Sequence, residues 1–179
     1  MKYRDSTGKI DTPKKILKVN HAGEFGAINI YRSQIFVSKM FMPDLVPLLE
    51  SFLEDEKRNM NIFWEEIQSR NGIKCKSFWL CGLGGYFMGI ISAVLGRKGI
   101  MACTWAVESV VVNHLKTQLE YLNGKSDTRA FSTVESILQD EENHRDFGKM
   151  NGGQDSIWYS PLRFSISLFT EAVIRFGMR

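Results

Sequence analysis

Apolar positions recur every three or four residues through most of this chain, and no segment shows the strict alternation of a half-buried strand. That period predicts helices almost throughout. The first covers residues 13 to about 40, because Pro13 suits a first helical turn and Pro43 follows the end. A second runs from about 44 to 71, where Asn71-Gly72 is a stop signal, and Asn123-Gly124 repeats that signal after a helix starting near Lys98. Asp127 or Ser126 can cap the next helix, which carries "FSTVESILQDEENHRDFG" to Gly148, and Pro161 opens a last helix ending near 177. The predicted fold class is all-α.

Between Ser77 and Arg97, "SFWLCGLGGYFMGIISAVLGR" carries no charge before its final arginine. At about 1.5 Å per residue it is near the shortest helix that crosses a bilayer. Gly82, Gly84, Gly85 and Gly89 weaken a lone helix, while the Gly85-x-x-x-Gly89 spacing permits close packing on another one. A helix packed on its neighbours or lying at an interface is therefore favoured over a membrane span. The last segment sets Leu162, Phe164, Ile166, Leu168, Phe169, Val173, Ile174 and Phe176 against Arg163, Glu171, Arg175 and Arg179. It reads either as a core helix with a wet edge or as a helix on a membrane surface beside the apolar segment.

A chain of 179 residues with 44% hydrophobic content is long enough for one core and short for two, so a single domain over residues 1–179 is expected. Twenty-three basic against twenty acidic residues leave a net charge of +3, too small to imply a nucleic-acid partner, while an anionic or quinone-rich membrane stays open. Cys75, Cys81 and Cys103 are odd in number and lack C-x-x-C spacing. That argues against a disulfide framework and a thiolate metal site, and suits a reducing compartment. The start, "MKYRDSTGKIDTPKK", has no apolar run behind its charges and no Arg-rich amphipathic pattern, so no secretory or transit signal is expected there.

Four of the predicted helices each offer a carboxylate: Glu24 in "NHAGEFGA", Glu56 in "LEDEKRNMNIF", Glu108 in "CTWAVESVVVNH" and Glu141 in "QDEENHRDF". Glu24 and Glu56 are 32 residues apart, and Glu108 and Glu141 are 33 apart, which implies two helical hairpins of nearly equal design. Glu24 and Glu108 have small or apolar neighbours, where an ionised carboxylate is costly unless paired or bound to metal. Either alone reads as an edge residue satisfied by Lys or Arg; the repeated spacing favours the metal. His144 follows Glu141 by three residues and Asn59 follows Glu56 by three, so each pair shares a helix face. Glu-x-x-His is half of a di-metal site, and Asn59 stands where the second histidine is expected. Carboxylates with one imidazole per ion favour iron or manganese, and such a pair can activate dioxygen.

These blocks, from "KVNHAGEFGAINIYRSQ" through "LGRKGIMACTWAVES" to "DEENHRDFG", resemble the demethoxyubiquinone hydroxylases of ubiquinone biosynthesis over nearly the whole chain. The resemblance implies a ferritin-like four-helix bundle with an apolar membrane-facing helix and a C-terminal helix. It also implies two iron ions (Fe2+) and O₂-dependent hydroxylation of a demethoxyubiquinol-type intermediate. Matched residue by residue, it implies metal ligands at Glu24, Glu56, Glu108, Glu141 and His144. Glu56 and Glu141 would bridge, Glu24 and Glu108 would be terminal, and Asn59 would be a weak ligand through its amide oxygen. His114 matches a family histidine near the quinol pocket and is the candidate catalytic residue, relaying a proton. His21 is expected to hydrogen-bond a ligand carboxylate.

The implied partners are a membrane surface, a prenylated quinone or quinol, O₂ and an electron donor, together with further copies of the chain or other ubiquinone-biosynthesis proteins. The implied location is peripheral, on the cytoplasmic face of a bacterial inner membrane or the matrix face of the mitochondrial one. Besides Asn59, two positions depart from the family pattern: Ser109, where a second Glu is usual, and Asn113-His114-Leu115, where a His-His-Tyr run is usual. Asn59 raises a second reading, a catalytically weak relative that binds quinone intermediates or scaffolds a biosynthetic complex. A third, ferritin-like iron or peroxide handling, leaves the apolar segments without a purpose.

Overall fold

The computed structural model of the protein describes residues 12–177, with side chains over residues 13–173. Ile174, Arg175, Phe176 and Arg179 lie outside the described side chains, as does most of the stretch read for targeting signals. Six α-helices follow one another: α1 (Thr12–Phe41), α2 (Val46–Ser69), α3 (Phe78–Val94), α4 (Gly96–Leu122), α5 (Thr128–Gly148) and α6 (Tyr159–Gly177). No strand occurs among the described residues.

The helix ends follow from local chemistry. Pro43 opens a single 3₁₀ turn, Pro43–Leu45, so α2 begins at Val46 rather than at 44. At its far end α2 stops at Ser69: Asn71 takes the left-handed conformation at φ 51°, and the Gly72 amide donates to the Ile67 carbonyl at 2.9 Å. Asparagine is the ordinary residue that tolerates this conformation most readily, so it supplies the stop. Asp127, not Ser126, caps α5 by accepting from the Ala130 amide at 3.1 Å. The last helix starts two residues before Pro161, which leaves the proline in the first turn where its missing N–H is not needed.

α1 packs on α2, and α4 on α5 and α6, while the two hairpins meet through α2 and α5 and through contacts of α1 with α4 and α5. Apolar layers close both ends of this bundle. Ile16 and Leu17 of α1, Phe63 and Ile67 of α2, Leu115 and Leu122 of α4, and Val134 and Ile137 of α5 fill one end. Ile28, Ile35, Leu49, Phe52, Ile100 and Met101 fill the other. Glu24, Glu56, Glu108 and Glu141 fall between these layers along every helix, so the bundle carries a polar layer in mid-core. Two hairpins joined by a long crossover, with inward carboxylates at mid-height, make a ferritin-like four-helix bundle.

The crossover contains α3, which lies along α1. Its glycines permit that approach: a Cβ on Gly85 would stand 2.1 Å from the Gly26 carbonyl oxygen, and one on Gly89 would stand 2.4 Å from the Ile30 oxygen. The opposite face of α3 leaves Trp79, Leu83, Phe87, Ile91 and Val94 exposed, and Phe164 and Leu168 of α6 are exposed too. No helix among the described residues is long and apolar enough to cross a membrane, so the packed reading of residues 77–97 holds and the span does not. The three cysteines are free and buried.

Candidate metal centre

Each hairpin delivers its acidic residues to the same place. α1 supplies Glu24, α2 supplies Glu56 and Asn59 one turn apart, α4 supplies Glu108, and α5 supplies Glu141 and His144 one turn apart. All six are buried, none more than 5% exposed, although four of them are acids. None of these carboxylates pairs with a Lys or Arg among the described residues, so the edge-residue alternative fails. Donor atoms of Glu56, Glu108, Glu141 and His144 all lie within 4.8 Å of one another; Glu24 stands outside that set but close enough to interact with its carboxylates.

Burial, and then the neighbouring carboxylates, push Glu24 and Glu108 well above the usual carboxylate range. Glu141 is raised to about 8 for the same reasons, against hydrogen bonds from Glu108 and Asn59. Burial works against a charged His144, yet Glu56, Glu141 and Asp55 together hold it up to about 9. A set of carboxylates that keep protons only because nothing else neutralises them is a set that a cation can deprotonate and occupy.

The hydrogen-bond pattern tests that fit. Both carboxylate oxygens of Glu56, the Asn59 Oδ1 and the His144 Nδ1 are buried and have no hydrogen-bond partner. His144 Nδ1 lies 3.3 Å from Glu56 Oε1 without hydrogen-bond geometry between them. Buried polar atoms without a partner are rare in folded proteins, and those of Glu56 and His144 fall within the group of converged carboxylate and imidazole atoms that could hold a metal ion. The chemistry of the set, hard oxygens with one imidazole, suits a divalent transition metal.

Two residues of the centre were not singled out from the sequence. Asp55 Oδ2 lies 3.2 Å from His144 Nε2, and its other oxygen accepts from Arg58 at 2.8 Å; Arg58 also reaches Asp140 of α5. In the sequence Asp55 looks like part of a solvated acidic run. Tyr31, fully buried, donates to Glu108 Oε1 at 3.1 Å. Its signal was legible: it follows Glu24 by two helical turns and so shares its face.

His21 corrects an expectation. It makes no hydrogen bond to Glu24 but stacks between Trp64 and Phe78, with ring centroids 5.1 Å away on each side. Its Nδ1 is buried without a partner, and burial, helped by the Lys74 ammonium, lowers its pKa to about 4. Although the three-residue step puts His21 and Glu24 on neighbouring parts of one face of α1, the imidazole is held by aromatic packing against Trp64 of α2 and Phe78 of α3 instead of by the carboxylate. Ser109 turns its hydroxyl back to the Trp105 carbonyl at 2.5 Å, and Leu115 joins the apolar layer.

Beside the centre lies a cavity of about 220 Å³ whose wall includes Glu24, Glu56, Glu108 and Glu141. His114 is in the same wall, half-buried, with its pKa lowered by burial against the opposing charge of Glu171. Most of the remaining wall is apolar, including Ala27 and Ile30 of α1, Met88 of α3, Val107 of α4 and Ile166 and Phe169 of α6.

The family model described as "Ubiquinone biosynthesis protein COQ7" matches residues 11–177. The NADPH-dependent 3-demethoxyubiquinone 3-hydroxylase, mitochondrial, of Dictyostelium discoideum is 29% identical over 168 residues, 93% of this chain and 76% of that protein. The 3-demethoxyubiquinol 3-hydroxylase of Rhodospirillum rubrum is 30% identical over 142 residues, 79% of this chain and 66% of that protein. The 5-demethoxyubiquinone hydroxylase, mitochondrial, of Saccharomyces cerevisiae is 30% identical over 175 residues, 89% of this chain and 75% of that protein. With the match running from the first described helix to the last, and a buried carboxylate and histidine centre at its middle, the chain belongs to the ubiquinone biosynthesis protein COQ7 family.

Proposed function

We propose that this protein is an O₂-dependent di-iron hydroxylase acting on the ring of a demethoxyubiquinol-type quinol. The observation that carries the reading is the group of unpartnered buried donors on Glu56, Asn59 and His144, set beside an apolar cavity. Two iron ions would be held by Glu24, Glu56, Glu108, Glu141 and His144, with Asn59 as a weaker ligand, and would supply the O₂-binding and redox chemistry. Asp55 orients His144, and Tyr31 holds one oxygen of Glu108. The apolar wall excludes water from the ring and takes the beginning of the prenyl tail. His114, kept neutral by burial, is able to accept a proton from a quinol hydroxyl and return it.

α3 and α6 each contribute to the cavity wall and each carry exposed apolar side chains on the outside. A prenylated substrate would reach the cavity from a membrane surface covered by Trp79, Leu83, Phe87, Phe164 and Leu168. Relatives include two named as mitochondrial and one from a bacterium, and either membrane suits this placement.

The test is expression in a strain lacking the family hydroxylase, with quinone intermediates read by mass spectrometry. The hydroxylated product should form with this chain and not with its Glu141→Ala variant. Accumulation of the unhydroxylated intermediate beside a folded, iron-loaded chain would overturn the reading. That outcome would support a second one, a relative that binds the quinol without oxygenating it, which the amide at position 59 favours.

A further inference from the structure

The two halves of the centre are not equivalent. On the α5 side, His144 is held from behind by Asp55 and presents an unpartnered Nδ1 among Glu56, Glu108 and Glu141, a converged set of four donors. On the α2 side, Asn59 spends its amide nitrogen on Glu141 Oε1 at 3.1 Å, and no side chain holds its Oδ1 toward an ion. An amide N–H cannot ligate a cation. Asn59 can ligate only through Oδ1, a neutral amide oxygen that binds a divalent ion more weakly than an imidazole, on a side chain already tied by its nitrogen to Glu141, a carboxylate both positions share. Glu24, the remaining donor on that side, is outside the converged set.

We infer that the centre binds its two ions unequally: one tightly, at Glu56, Glu108, Glu141 and His144, and one weakly, on the side of Glu24 and Asn59. The inference rests on the di-metal reading above and adds an order of filling to it. Losing a ligand or its orienting partner commonly weakens metal affinity by about ten- to a hundredfold, which sets the expected gap between the two steps. At limiting metal the chain would then hold a single ion, and occupancy of the second position would govern when the centre is complete.

The full chain would be titrated anaerobically with cobalt(II), reading the visible absorption of the bound ion and the metal retained after gel filtration. One equivalent should be retained, with a second step resolved only at about ten- to a hundredfold higher free metal. Asn59→His should draw the two steps together. Asn59→Asp, close in size to the native residue, should do so by offering a carboxylate oxygen where the amide nitrogen stood. Far-UV circular dichroism shows which variants are folded. His144→Ala should instead remove the tight step. Two equal steps in the unmodified chain, or a gap left unchanged by folded Asn59→His and Asn59→Asp, would overturn the inference while leaving the di-metal reading intact. Retention of no ion by the folded chain would overturn both.

Discussion

Asp55 and His144 meet across the bundle, one from α2 and one from α5, with 3.2 Å between Oδ2 and Nε2. With Nε2 engaged by Asp55, Nδ1 is the ring nitrogen that faces Glu56, 3.3 Å from its Oε1, and the one that would give up a proton to ligate an ion. Asp55 is itself anchored by Arg58.

Replacing Asp55 with Ala should therefore weaken metal binding by about ten- to a hundredfold without unfolding the chain. Competition against a coloured chelator measures this. If affinity is unchanged, packing of the His144 ring on Phe52, with centroids 4.4 Å apart, is enough to orient it.

Tyr31→Phe removes the donor to Glu108 and leaves a buried carboxyl oxygen without its partner. The metal-free protein is expected to lose about 1–2 kcal/mol in urea unfolding. A variant as stable as the parent would mean that Glu108 finds another donor.

Stability of the metal-free protein should fall as pH rises. Glu141 moves from 4.5 to about 8 on folding, and Glu24 and Glu108 also move up, so the folded chain keeps protons that the unfolded chain releases. This contribution is fully present below about 4.5 and is lost as pH climbs through about 8. His144, raised from 6.5 to about 9, acts in the same direction over its own interval. Chelator-treated protein should thus melt at lower temperature at pH 8 than at pH 5, and a divalent ion should restore more at pH 8, where fewer protons must be displaced. A flat or rising melting temperature over that range would contradict the neutral-carboxylate core.

Gly85→Ala should separate α3 from α1, because its Cβ would stand 2.1 Å from the Gly26 oxygen. Overpacking of this kind costs about 1–3 kcal/mol. Gly23→Ala is the control: no atom lies within 4 Å of its Cβ, and helix propensity should make it neutral or stabilising by about 0.5–1 kcal/mol. Thermal melts of the pair that do not differ would show that α3 is not closely packed.

A triple change of Trp79, Leu83 and Phe87 to Ser should reduce co-sedimentation with anionic lipid vesicles by at least about tenfold, since each large apolar side chain contributes about 1.5–3 kcal/mol when fully buried. The three are exposed, so the fold should survive. Undiminished sedimentation of the folded variant would place the membrane contact elsewhere.

Much of this protein was legible in one dimension. Helical period and stop residues marked five helices to within a few residues, and the glycines of the apolar segment marked a packed sixth. The spacings of 32 and 33 residues from Glu24 to Glu56 and from Glu108 to Glu141, with the steps from Glu56 to Asn59 and from Glu141 to His144, pointed these six side chains into the core, where all are buried. All of these are consequences of the 3.6-residue turn, a local property that survives without knowledge of neighbours. What depended on neighbours was decided only by tertiary structure. Asp55 could be told from the other acids of its run only once α5 brought His144 to it. Asn59 could be assigned as a donor to Glu141, and His21 as a ring between Trp64 and Phe78, only when the rotation of each helix about its own axis was set. That rotation comes from side chains packing across helix pairs distant in sequence, so a contact across the bundle has no fixed spacing by which the chain could reveal it.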